Sequence, residues 1–356
     1  VIIQGDYRDA LVQFTALGLA AIIENELGAR SRIQWLDQMR VSVTTLDVLS
    51  DEEMADAVLR HATARAEDSW VTAVAALGTA ARSPFSPRVG ALAAEDWQPW
   101  HDVREAEIDD VSADDVLDLR FISALGEPSY WAEDPAVSTQ INSGASLWEM
   151  KTRNRGEEFV QNRLALLARA VAGRSASEVL AGLLGTSILD EVGKNAGDSR
   201  TPTGLRAPSR TDNARAWCAM WGISNFPVRP VVSGDGFRAS KVAGAFRAGK
   251  SAWFYLPVFL GPDDGPPVSL ARYRAVARSA ALADLAWDTV RVAGEAAGEQ
   301  RKESQRFTEA ELKSAETWAR AHGVGGLMYF RRFVSDNPNA PEFWAEPGRF
   351  VGVGAV

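Results

Sequence analysis

Lys194-Asn195-Ala196-Gly197-Asp198-Ser199-Arg200-Thr201-Pro202-Thr203-Gly204-Leu205-Arg206-Ala207-Pro208-Ser209-Arg210-Thr211 is a polar loop by its composition. Two prolines, two glycines and five hydroxyl residues argue against a helix or a central strand there. Three arginines stand well apart along it. An apolar element, Ala214 to Trp221, follows at once, and then the run Trp221-Gly222-Ile223-Ser224-Asn225-Phe226-Pro227-Val228-Arg229-Pro230. A hairpin is predicted next, turning at Ser233-Gly234-Asp235-Gly236, with Arg238, Lys241, Arg247 and Lys250 on its second half and exit. A guanidinium on a Ser/Thr/Gly-rich loop suits phosphate oxygens, because its fork bonds bidentately and backbone N–H groups can approach beside it. Taken singly, each of these arginines reads as a solvated surface residue.

The charge distribution favours the functional reading. The 356 residues carry a net charge of -9, which argues against a nucleic-acid partner when taken alone. Residues 1–140, however, hold 10 Lys/Arg against 25 Asp/Glu, whereas residues 141–260 hold 16 against 9. The first third is therefore strongly acidic and the middle third has a net charge of +7. That split points to a polyanion site on one part of the chain, or to an acidic part facing a basic protein partner.

With 46% hydrophobic residues the chain can bury a large core, and its length predicts two or three domains. The most apolar stretch, Leu11 to Ile23, is interrupted by Gln13, Thr15 and Gly18 and reads as too short for a membrane span. No signal peptide is apparent. The single cysteine, Cys218, rules out an internal disulfide and fits a reducing compartment, so the expected location is cytoplasmic.

Periodicity predicts a strand at Val1-Ile2-Ile3 and a helix over 6–27 with Leu11, Phe14, Leu17, Ile22 and Ile23 on one face and Gly28 as its stop. A hairpin is expected around Asp37-Gln38, and Ser50-Asp51-Glu52-Glu53 is a capping box opening a helix to about Ala66. The proline-punctuated segment 83–99 reads as a surface connection. Asp109 to Asp118 is an acidic patch that lacks the glycine and glutamate of a calcium loop. Its Ser112-Ala113-Asp114-Asp115 portion reads as a capped helix start, so no metal site is assigned.

A second polar loop, 140–146, contains Asn142, and the cations Lys151, Arg153 and Arg155 flank Asn154 shortly after it. Residues 159–171 form an amphipathic pattern, and Ser175 or Ser177 can cap a helix to Leu184. Residues 252–260 predict a central strand, and 268–297 a long helix. Thr308-Glu309-Ala310-Glu311 is another capping box, its helix ending near His322 and Gly323. Residues 327–334 and 343–351 predict a closing hairpin.

The fold class expected is α+β. A mixed, acidic N-terminal domain spans 1–140, a basic central domain with β structure spans 141–265, and a mainly helical region closed by a β-hairpin spans 266–356. The chain shows no Gly-x-Ser-x-Gly, no phosphate-binding P-loop and no dinucleotide fingerprint. One cysteine cannot build a Cys-based zinc site. His61 and His322 fall in helical patterns and read as structural. His101-Asp102, with the acidic patch, supports an alternative reading as a metal-dependent nuclease. Twelve tryptophans read mostly as core anchors, with some able to stack on bases.

Three segments together resemble a known family. They are Ala10-Leu11-Val12-Gln13-Phe14-Thr15-Ala16-Leu17-Gly18-Leu19-Ala20-Ala21, the central Trp221-Gly222-Ile223 with Phe226-Pro227-Val228-Arg229-Pro230, and the tail. The tail segment comprises Gly323-Val324-Gly325-Gly326-Leu327-Met328-Tyr329-Phe330-Arg331-Arg332-Phe333 and Phe343-Trp344-Ala345-Glu346-Pro347-Gly348-Arg349-Phe350. They resemble the large subunits of type I CRISPR surveillance complexes (Cascade), particularly the type I-G branch, formerly I-U. The resemblance implies a non-enzymatic subunit without cofactors, assembled with crRNA and other Cascade backbone subunits. Such a subunit contacts the protospacer-adjacent motif (PAM) of target double-stranded DNA, helps open the duplex, holds the displaced strand and helps recruit a helicase–nuclease. Guide pairing then reads sequence while the protein reads a short PAM and the backbone. Under that reading Lys151, Arg153, Arg155, Lys194, Arg200, Arg206, Arg210, Arg238, Lys241 and Lys250 are the expected nucleic-acid contacts. Asn142, Asn154 and Asn195 are the candidates for reading base edges. The remaining alternative is a purely structural scaffold whose tryptophans all contact protein.

Overall fold

The computed structural model describes residues 1–77, 80–85, 94–111, 115–126, 159–199, 203–233, 236–248, 251–259, 265–296, 307–336 and 342–354. The chain opens with β1 (Ile2–Gln4) and then α1 (Ala10–Leu27), whose start is set by Asp9, its carboxylate accepting from Leu11 N at 2.9 Å. Gly28, at φ 63°, ends it in the left-handed conformation that a side chain disfavours. Next comes the hairpin of β2 (Ser31–Asp37) and β3 (Arg40–Thr45), and then α2 (Asp51–Thr63) behind the expected Ser50–Glu53 capping box. A small hairpin pairs β4 (Ala75–Leu77) with β5 (Ala80–Arg82). Helices α3 (Trp97–Asp110) and α4 (Val116–Leu125) follow.

A π-helical turn, Val160–Leu164, leads into α5 (Ala165–Ala172), and α6 (Ala176–Leu184) is capped by Ser175. After the polar loop comes α7 (Asn213–Gly222), then the hairpin of β6 (Val228–Ser233) and β7 (Gly236–Val242), followed by β8 (Ala245–Ala248) and β9 (Ser251–Phe259). The last part holds β10 (Val268–Ser269), α8 (Leu270–Ala277), α9 (Ala280–Ala296), α10 (Glu309–Ala321), β11 (Val324–Val334), β12 (Phe343–Ala345) and β13 (Arg349–Gly352).

These elements make an α+β fold with two larger antiparallel sheets. One runs β1-β3-β2-β10, so the short β10 is joined to N-terminal strands far from it in sequence. The other runs β12-β11-β9-β8, with β13 also pairing β11. Strand β9 is central in it, as its dense apolar composition predicts. The strand pair at 324–334 and 343–345 belongs to this sheet, because β11 also pairs with β9 along its length.

Helix α1 differs from the one-faced helix expected. Every residue from Ala10 to Ile23 is buried, so the helix is enclosed on all sides. Among the described residues it is the one helix long and apolar enough to span a membrane by length and composition, and 78% of it is buried inside the fold. Helix α7, also buried along its length apart from Arg215, crosses it. The crossing is tight: a Cβ at Gly18 would lie 1.7 Å from the Cys218 carbonyl oxygen, and one at Gly222 would lie 2.4 Å from that of Phe14.

Two other expectations are corrected. Residues 268–296 are not one helix but a two-residue strand and two helices broken at Arg278-Ser279, where the α8 end bonds back to Arg274 and Val276 carbonyls. In the segment 83–99, Phe85 is buried and α3 already begins at Trp97. The proline there, Pro99, sits in the first helical turn, where a missing N–H costs nothing. Buried side chains form one large cluster, with members from Val1 to Ala345, and a smaller one between α9, α10 and the β9–β11 strands.

Candidate nucleic-acid interface

The polar loop is held by a network of buried charges at its two ends. Asp212 caps α7, accepting from Ala214 N at 2.8 Å, and also accepts from Leu189 N at 2.9 Å. Arg174 brings its Nη1 to within 3.1 Å of Asp212 Oδ1, donates to the Leu189 carbonyl at 2.6 Å and pairs with Glu191. Burial works against the Arg174 charge, but the bonds to Glu191 and Asp212 outweigh it and raise its pKa. Asp190, fully buried, accepts from Gly193 N, Thr211 N and Asn213 Nδ2. Gly193 is required here, since a Cβ would lie 1.9 Å from Ser199 Oγ.

This scaffold brings three of the predicted contacts together. Lys194 and Asn195 both adopt left-handed backbone, at φ 55° and 56°, a costly geometry for Lys and a more tolerable one for Asn. Asn195 Oδ1 accepts from Asp190 N and from Arg210 Nη2, and Arg210 Nη2 also donates to the Ile188 carbonyl at 2.7 Å. Lys194, Asn195 and Arg210 are all exposed. Among the described residues the Lys194 ammonium has no partner, and the hydrogen bonds of the Asn195 side chain are made by Oδ1.

The expected help from backbone N–H groups is limited. Those of Gly193, Lys194, Asn195, Ala196 and Ser199 are all used inside the loop. An anion would therefore meet side chains along this segment rather than an amide cradle.

Arg206 lies further along and pairs with Asp9 at 2.6 Å, tying the loop to the start of α1. Burial raises the pKa of Asp9, and the Arg206 charge opposes that shift. Arg238 and Lys241 lie on β7, where Lys241 is in register with Arg229 of β6; Arg247 lies on β8. Asn142, Lys151, Arg153, Asn154, Arg155, Arg200 and Lys250 lie outside the described residues.

The acidic patch is divided by the fold. Asp109 and Asp110 end α3, whereas Asp118 turns inward, accepting from Arg65 Nε at 2.9 Å and Trp70 Nε1 at 2.5 Å. His101 edges onto Trp100, and Asp102 accepts from Gln98 at 2.8 Å. Among the described residues no group of three or more His, Cys, Asp or Glu is placed to hold a metal ion.

Arg174, Asp190, Asp212 and Asn213, which shape the loop, were not picked out by the sequence reading. The signal available for two of them was Asp212-Asn213 directly before an apolar run, a helix-start pattern. No protein-family model matches the chain, and no curated protein matches it.

Proposed function

We propose that this chain is a non-enzymatic, DNA-contacting subunit of a guide-RNA surveillance complex, similar to a Cascade large subunit. The observation that carries the reading is the loop at 194–210. It sets Lys194, Asn195 and Arg210 at the surface on a framework of buried charge pairs, within the basic middle third of the chain. A framework of this kind presents cations to a phosphate backbone without first ordering a mobile loop, which lowers the entropic cost of binding.

On this reading the acidic first third faces protein partners, and the mainly helical region 266–356, with the hairpin of β11 and β12, faces the displaced strand or a small subunit. The working location is the cytoplasm. Target duplex DNA, crRNA, backbone subunits and a recruited helicase–nuclease are the partners.

The test is co-expression with the neighbouring genes, followed by purification through this chain. The expected result is co-purifying RNA of uniform length and a complex that binds target DNA. Recovery of a complete, target-binding complex lacking this chain would overturn the proposal, as would cleavage of DNA by the purified chain with Mg²⁺ that His101→Ala abolishes.

A further inference from the structure

On β11, Leu327, Tyr329, Arg331 and Phe333 alternate onto one face of the sheet. Register places Trp253 of β9 opposite Arg331, Trp344 of β12 opposite Phe333, and Arg349 of β13 opposite Tyr329, all on that face. The opposite face, with Met328 and Phe330, lies in the large core.

The face has two ends of different character. Leu327 and Tyr329 are buried beneath α9 and α10, with Leu282, Leu285, Ala315 and Ala319 in the same cluster. Beyond them Trp253, Phe333 and Trp344 are only half-buried, and Arg331 and Arg349 are exposed. Phe333 and Trp344 are stacked, with ring centroids 4.1 Å apart and planes at 22°, so each ring keeps a second face. The Arg331 guanidinium lies 6.0 Å from the Trp253 ring. Among the described residues neither Arg331 nor Arg349 forms an ion pair.

We propose that Trp253, Arg331, Phe333, Trp344 and Arg349 form a stacking platform for the bases of single-stranded DNA. Flat rings offer π-faces to unpaired bases and have nothing to stack on in a closed duplex, while unpaired guanidiniums suit the phosphates between them. Glu346, whose N–H donates to the Arg331 carbonyl at 2.9 Å, borders the same face; open ring faces beside two exposed arginines favour a strand that supplies charge and rings together. DNA is the occupant we commit to, and the RNA strand is the competing outcome of the test. The platform adjoins the polar loop, since Ala345 N of β12 donates to the Gly204 carbonyl at 2.9 Å. The proposal rests on the nucleic-acid reading above, but not on assembly into a complex.

The experiment uses the isolated full chain and a labelled DNA strand of about 16 nucleotides, the upper range of such sites. Competitors are its duplex, the RNA strand of the same sequence and an abasic strand of equal charge. The expected order is single-stranded DNA ahead of duplex and of abasic strand. Trp344→Ala and Phe333→Ala should each weaken binding about 5- to 150-fold. Trp344→Phe, which keeps a ring, should bind within a few-fold of wild type, and a thermal melt of each variant separates lost folding from lost stacking. Arg331→Gln and Arg349→Gln should each lower the salt slope by about 0.7. Equal binding of the abasic strand, a preference for RNA, or folded Trp344→Ala and Phe333→Ala proteins that bind like wild type would overturn the platform. No binding by wild type would do the same and would assign the face to a protein. Absence of co-purifying RNA alongside base-dependent binding would instead overturn the surveillance-complex reading and leave the platform standing.

Discussion

Arg174 Nη1 lies 3.1 Å from Asp212 Oδ1, with side-chain exposures of 3% and 2%. The same carboxylate caps α7 and fixes Leu189 N, so one residue orients a helix and closes the polar loop. Asp212→Ala leaves the Arg174 charge buried with only Glu191 and a carbonyl, and removes a cap. Losing one partner of a buried pair costs about 3–5 kcal/mol, and losing a cap about 1 kcal/mol. Asp212→Asn keeps an acceptor and should lose less. Denaturant unfolding measures both; a loss under about 1 kcal/mol for Asp212→Ala would show that Arg174 finds other partners or water.

The crossing of α1 and α7 makes a second prediction. The atoms nearest a new Cβ at Gly18 or Gly222 are backbone carbonyls, which cannot rotate away as a side chain does. Gly18→Ala and Gly222→Ala should each cost at least about 3 kcal/mol, the upper end of ordinary overpacking. Gly28→Ala is the control. Nothing lies within 4 Å of its Cβ, so only the left-handed backbone is penalised, at about 1 kcal/mol. Comparable losses at Gly18 and Gly28 would mean that the two helices separate easily.

How much of this was legible in the sequence depends on how local the cause is. The three capping boxes at Ser50, Ser175 and Thr308 are each decided within four residues; two were identified outright and Ser175 as one of two choices. The turns at Asp37-Gln38 and Gly323 were equally plain. What escaped were long-range relations. The burial of α1 on every side follows from α2, α7 and the strands that surround it, and no periodicity within residues 10–27 carries that information. Asp118 looked like one carboxylate of a surface patch, because its partners Arg65 and Trp70 are about fifty residues away. The loop at 194–211 was recognised as a loop, but the acids that hold it, Asp190 and Asp212, lie at its margins. Their role appears only once Arg174 and Asn213 are brought beside them.

His61 supplies a pH-dependent term. It is fully buried, edge-to-face with Trp221 at 4.3 Å and beside Trp217 at 5.5 Å, and neither ring nitrogen has a hydrogen-bond partner. Burial, and then the nearby Arg65 charge, hold its pKa well below the usual 6.5. The unfolded chain takes up a proton near pH ~6.5, whereas the folded chain does not. The stability from a neutral His61 is therefore present above that pH and lost as pH falls below it, at up to about 1.4 kcal/mol per pH unit. Unfolding free energies measured from pH 8 to pH 5, on the order of the His range, should fall on acidification. His61→Phe should flatten that dependence; an unchanged slope would assign it to the carboxylates instead.

The loop cations make the last prediction, and the structure separates their roles. Lys194 is exposed and has no partner among the described residues, so Lys194→Ala should leave stability unchanged while lowering the salt slope of DNA binding by the assembled complex by about one unit. Arg210 also holds the Ile188 carbonyl and Asn195 Oδ1, so Arg210→Ala should loosen the loop as well as remove a charge. Asn195→Ala tests base reading, with a thermal melt to separate the loss of the Oδ1 acceptor that holds Asp190 N and Arg210 Nη2. Loss of its Nδ2 donors should cost about 1–3 kcal/mol on the cognate PAM and narrow the gap to mutated PAMs, whereas a backbone contact weakens all sequences alike. The triple variants Arg200→Ala/Arg206→Ala/Arg210→Ala and Lys151→Ala/Arg153→Ala/Arg155→Ala, compared across a salt series, extend the test to both polar loops. Arg206 contributes less than the exposed Lys194, because Asp9 already neutralises it at 2.6 Å. If both triple variants and Lys194→Ala bind like wild type at every salt concentration, the basic middle third is a solvated or protein-facing surface, and DNA is held elsewhere.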